Sequence, residues 1–70
     1  MPRYTVNKNA QANGDHEVHD MTISRSCHPA SFNQLDLGLH STCSSAVQAA
    51  KRHYARSNGC ANCAPACHTS

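Results

Sequence analysis

The chain has 70 residues, with five Cys, six His, and six Lys and Arg against four Asp and Glu. That length holds one domain at most, and a scaffold this small needs a disulfide, a metal or a partner to supplement its core. The formal charge of +2 with His neutral is too weak to argue for nucleic acid, and neither a secretory signal nor a membrane span is visible, so the expected setting is cytoplasmic.

The apolar inventory is thin, with no Trp, one Phe and two Tyr, and its many Ala positions bury little area each. A reducing compartment keeps thiols as thiols, so clustered Cys there point to metal or redox chemistry before structural disulfides. An odd number of Cys also leaves one outside any paired scheme.

In chain order, Arg3 to Asn7 alternates, with Tyr4 and Val6 on one face, and reads as a first strand. Lys8 to Gly14 is polar and ends in Asn13-Gly14, a hairpin-turn signal. Asp15 to Ile23 reads as the returning strand, with a change of apolar phase near Asp20 that marks a bulge or the end of pairing. Ser24 to Asn33 is a loop broken by Pro29 and carrying Cys27-His28. Gln34 to His40 alternates again, with Leu35, Leu37 and Leu39 on one face of a third strand. Ser41 and Thr42 are N-cap residues for a helix whose stripe is Cys43, Ala46, Val47, Ala50 and Tyr54. Asn58-Gly59 is its stop signal.

This order predicts an α+β fold: a three-stranded antiparallel β-meander (β-β-β-α) with one C-terminal helix packed on the sheet. Residues 1–58 form that domain, and residues 59–70 are a Cys/His-rich tail folded back on it. The tail has no periodic pattern and no large apolar residue, so a cross-link must order it.

The meander sorts the thiols by end. It places the loop with Cys27 and His28 at the end of the sheet where the helix terminates, beside Cys60, Cys63 and Cys67. Cys43 lies in the first helical turn, and a helix continuing to Ser57 rises about 21 Å from there. Zinc–sulfur bonds of about 2.3 Å cannot bridge that. The expected ligands of a structural zinc ion are therefore Cys27, Cys60, Cys63 and Cys67, with His68 and His28 as substitutes. Cys43 is expected to be a small buried core residue. Disulfides among the tail cysteines are the main alternative. A redox Cys60/Cys63 pair is disfavoured, because it follows a helix C-terminus, where the dipole opposes a thiolate.

His16-Glu17-Val18-His19 is not a metalloprotease motif, since its two His lie three apart on a strand and face opposite ways. Both are expected to be exposed, with a ligand role as the minority reading. Lys51, Arg52 and Arg56 read as a solvated helix face.

Several segments resemble a family of small uncharacterised bacterial proteins. They are Val6-Asn7-Lys8-Asn9, Asn13-Gly14-Asp15-His16-Glu17-Val18-His19, Leu37-Gly38, Cys43 with Ala46-Val47 and Ala50-Lys51, and Asn58-Gly59-Cys60-Ala61-Asn62-Cys63 with Cys67-His68-Thr69. The likeness covers nearly the whole chain and implies no assigned function. Family tails often resemble Cys-x-x-Cys-Cys, whereas here Ala64 follows Cys63, so a thiol at that position is not a required ligand. The residues together read as a monomeric zinc-binding module for an unidentified protein partner, with the enzyme question left open and a thiol redox protein as the alternative.

Overall fold

A computed structural model describes residues 1–12, 14–22, 28–61 and 63–68. The elements are β1 (Arg3–Asn7), β2 (His16–Asp20), β3 (Gln34–Leu39), α1 (Cys43–Ala50) and β4 (Ser57–Gly59), with short 3-10 turns at Ser31–Asn33 and Pro65–Cys67. The strands form one four-stranded sheet in the order β3-β1-β2-β4. β1 pairs antiparallel with β2, matching Tyr4 with Asp20, Thr5 with His19 and Val6 with Val18. β3 pairs antiparallel with the other edge of β1. β4 runs parallel to β2, matching His16 with Ser57, Glu17 with Asn58 and Val18 with Gly59.

The α+β class and the single helix agree with the sequence, but the three-stranded antiparallel meander does not: the sheet has four strands and is mixed. β1 is an inner strand because Tyr4 and Val6 are both buried and both of its edges are paired. β3 therefore crosses to the far edge of β1 and leaves the outer edge of β2 open for β4. A parallel pair needs a crossover connection, and the segment containing β3 and α1 supplies it. The proposed boundary between residues 58 and 59 falls inside β4.

α1 starts as its sequence predicts. The Thr42 hydroxyl accepts a hydrogen bond from the Ser45 N–H at 3.2 Å, satisfying one of the donors a helix start leaves open. The helix is shorter than the apolar stripe suggested. After Ala50 the chain tightens into a turn in which His53 N–H and Tyr54 N–H both donate to the Ala50 carbonyl, at 2.9 and 2.8 Å. This turn lays Tyr54 against the core and stacks it on His16, with ring centroids 3.9 Å apart. Ser57 Oγ then donates to the Tyr54 carbonyl at 2.6 Å as β4 begins.

Tyr4, Val6, Val18, Ala46 and Ala50 are the buried core, with Leu35, Leu37, Cys43, Val47 and Tyr54 packed against them. Leu39 departs from the expected stripe and is 54% exposed. The cause is a bulge. Thr5 faces Asp36 but Tyr4 faces Gly38, so Leu37 is an extra residue and the alternation reverses beyond it. Gly38 takes φ +81° there. Asp36 braces the bulge, accepting from Gly38 N–H at 3.1 Å and from Arg3 Nη1 at 2.7 Å. Those two bonds, the backbone one first, hold its carboxyl below the ordinary carboxylate range.

By strand alternation Thr5, Glu17 and His19 point away from α1. That face is covered too, since Thr5 and His19 are buried. Thr5 Oγ1 donates to Met21 Sδ at 3.2 Å, and His28 lies edge-on to His19 with ring centroids 5.6 Å apart. The sheet is thus sandwiched between α1 and a layer of irregular chain.

A Cβ at Gly38 would meet nothing within 4 Å, so Gly38→Ala carries only a backbone penalty of about 1–2 kcal/mol for the left-handed conformation. Urea unfolding of the variant should show that loss and no change in metal binding.

Candidate metal centre

The register of β2 and β4 builds the site. Because Val18 lies beside Gly59, the next residues, His19 and Cys60, are neighbours on the face away from α1. The Cys60 N–H donates to the Val18 carbonyl at 2.9 Å and extends the parallel ladder by one step. The chain then turns back on itself, and the Ala64 N–H donates to the Cys60 carbonyl at 2.9 Å. That turn brings Cys63 round to His19. One ligand atom each from His19, Cys60 and Cys63 lies within 4.8 Å of the others, and all three residues are buried.

The spacing suits a tetrahedral ion. Cys63 Sγ is 3.4 Å from His19 Nδ1. Zinc bonds of about 2.3 Å to sulfur and about 2.0 Å to nitrogen, meeting at the tetrahedral angle, separate those two atoms by about 3.5 Å. Two thiolates and an imidazole are a donor set that zinc accepts. Without an ion, the same contact is a hydrogen bond between thiol and imidazole.

His19 is fully buried, and its pKa is lowered to about 4, first by burial and then by His28. The ring is therefore neutral at pH 7, with one N–H and one lone pair. Nε2 has no hydrogen-bond partner among the described residues. Glu17 Oε1 stands 3.7 Å from it.

Of the ligands expected from sequence, Cys60 and Cys63 are brought together. Cys27 lies outside the described residues. Cys67 is not with them: it forms a disulfide with Cys43, their Cα atoms 6.1 Å apart. This corrects both the assignment of Cys67 as a ligand and that of Cys43 as an isolated core thiol. The expected separation assumed a helix running to Ser57, but α1 ends at Ala50, and the Pro65–Cys67 turn brings the tail back over it. Gly59 makes this passage feasible, since a Cβ there would lie 2.7 Å from Cys67 Cβ and 2.9 Å from the Ala64 carbonyl oxygen.

The substitutes are placed as follows. His68 is exposed, and its Nδ1 donates to the Gly59 carbonyl at 3.1 Å, so it ties down the tail. His28 stands beside the cluster without joining it, with Nε2 donating to the Asp20 carbonyl at 3.1 Å. His19, expected to be exposed with a ligand role only as the minority reading, is instead buried in the cluster; its burial depends on a covered second face that periodicity does not report.

Comparison with protein-family models, curated proteins and solved structures finds no match for the chain.

Closing a loop across a separation of 24 residues stabilises a fold by about 3.5 kcal/mol in the chain-entropy model. The Cys43→Ser, Cys67→Ser double variant should lose about that much in guanidinium unfolding. Trypsin cleavage after Lys51, Arg52 and Arg56 should leave the two halves linked on a non-reducing gel and separate them once dithiothreitol is added.

Proposed function

We propose that this chain is a small metal-binding domain in which His19, Cys60 and Cys63 hold one zinc ion, and that the metal's task is to order the tail. The observation that carries this reading is the buried convergence of one imidazole and two cysteine sulfurs at a spacing that suits tetrahedral zinc. Cys27 is retained as the proposed fourth ligand on sequence grounds alone. With four protein donors the site has no open position for catalysis, so the domain's work is binding or interaction. Membership of the small bacterial family rests on sequence likeness and names no activity.

A redox role for Cys60 and Cys63 is less well supported. They are only 1% and 3% exposed, which denies a substrate disulfide access to either sulfur. The turn between them leads into a 3-10 turn, not the start of an α-helix that would stabilise a thiolate. The Cys43–Cys67 bridge favours a disulfide-stapled domain as a complement to the metal. That bridge is at odds with a cytoplasmic setting, because disulfides persist in oxidising compartments. Among the described residues no helix is long and apolar enough to cross a membrane.

Native mass spectrometry after addition of equimolar zinc should show one ion per chain, and a strong chelator should lower the melting temperature. Cys60→Ser, Cys63→Ser and His19→Ala should each abolish stoichiometric binding, whereas the Cys43→Ser, Cys67→Ser double variant should retain it. One-to-one binding that survives loss of both Cys60 and Cys63 would sink the proposal. So would a protein purified under reducing conditions with those two sulfurs joined.

A further inference from the structure

We infer that Glu17 is the positioning residue of the metal centre, its carboxylate accepting the Nε2–H of His19 so that Nδ1 is presented to the ion. This rests on the metal-binding reading and adds to it the tautomer of the ligand and the group that fixes it.

The two ring nitrogens of His19 have different surroundings. Nδ1 faces Cys63 Sγ at 3.4 Å. Nε2 faces Glu17 Oε1 at 3.7 Å and has no hydrogen-bond partner among the described residues, although the ring is wholly buried. A neutral imidazole carries one proton, and its position decides whether both contacts are favourable. With the proton on Nδ1, an N–H blocks the approach of a metal to the sulfurs and a lone pair on Nε2 confronts a carboxylate. With the proton on Nε2, the N–H points toward Glu17 and the Nδ1 lone pair points toward the cysteine sulfurs. Only the second arrangement leaves no repulsive contact.

The gap to Glu17 is short of a hydrogen bond by roughly 0.8 Å, against an ordinary N–H···O length of about 2.9 Å. Glu17 and His19 are two apart on β2 and share a face, and a rotation of the long Glu17 side chain covers that distance. A buried N–H left without an acceptor is unfavourable, so a force for closure is present. His28 stands edge-on to the His19 ring, with centroids 5.6 Å apart, and its Nε2 donates to the Asp20 carbonyl at 3.1 Å. Glu17 meets the ring on the side of the nitrogen that does not face Cys63, so it acts through His19 and is not itself a ligand. A carboxylate behind a metal-bound imidazole both orients the ring and raises its basicity.

The test uses the full chain and zinc, with affinity measured by competition against a chromophoric chelator. Glu17→Ala should weaken zinc binding about 10–100-fold, and Glu17→Gln, which keeps an acceptor oxygen, should recover part of that loss. Long-range ¹H–¹⁵N spectra of zinc-loaded wild type should show His19 metal-bound at Nδ1 and protonated at Nε2. The unfolding midpoint of the metal-free protein should barely move in Glu17→Gln. A Glu17→Ala variant that binds zinc as tightly as wild type, or a spectrum placing the metal on Nε2, would overturn the assignment while leaving the metal centre standing. Should Glu17→Ala fail to fold, the wild-type spectrum and Glu17→Gln still decide. Wild type that binds no zinc would remove the metal reading and this inference together.

Discussion

A single backbone hydrogen bond, from the Cys60 N–H to the Val18 carbonyl, sets the position of everything chemical in this molecule. It is the last step of a three-residue parallel ladder between β2 and β4. A parallel register places each residue beside its partner on the same face, so it carries Cys60 to His19 without any side-chain recognition. A slip of one residue would turn Cys60 toward the helix. The ladder forms only because α1 ends at Ala50 and the next turn releases the chain early enough to return along β2. The length of the helix, set by where Tyr54 has to pack, therefore governs the site on the opposite side of the sheet.

From that edge the tail works on both faces. Cys60 and Cys63 belong to the face that carries His19, and Cys67 reaches over Gly59 to Cys43 on α1. The tail wraps the edge strand β4, which covers a rim that would otherwise offer unsatisfied backbone groups to another chain. Few apolar side chains hold it there, so the disulfide, and a metal bound at the His19, Cys60 and Cys63 cluster, would carry most of the ordering. They are separated by only the Ala64–Ala66 stretch, and each limits the freedom the other would have to remove. A metal held by His19, Cys60 and Cys63 would therefore be coupled to the disulfide through loop closure, although the two lie on opposite sides of the sheet.

Much of this was legible in the residues, for reasons that are local. β1 and the start of α1 could be read because alternation and an N-cap are nearest-neighbour signals, and the helical stripe named the residues that pack on the core. The nearness of Cys60 and Cys63 followed from their spacing. What escaped was non-local. Ser57-Asn58-Gly59 has neither apolar alternation nor β-branching, and it is a strand only because β2 offers an edge. Without β4 there is no parallel register, and without that register nothing connects residue 60 with residue 19. The Leu37 bulge likewise comes from pairing with β1, and the three alternating Leu gave no sign that the last would face solvent. The Cys43–Cys67 bridge was excluded by an argument correct for a helix reaching Ser57 and void for one that stops seven residues sooner.

The distribution of burial is what separates a metal centre from a reactive thiol pair. A redox cysteine must meet its substrate's sulfur, and a structural ligand must not. Here both sulfurs are covered, and the group beside them is a histidine pushed toward its neutral form by the same burial. Neutral imidazole is a poor stabiliser of a lone thiolate but a good partner for a cation that stabilises two. Burial that would cost free energy for an isolated anion becomes favourable once a divalent ion neutralises both. An enclosed, uncharged His set against two cysteines could hold a cation between them, and without one the same contact is a thiol–imidazole hydrogen bond.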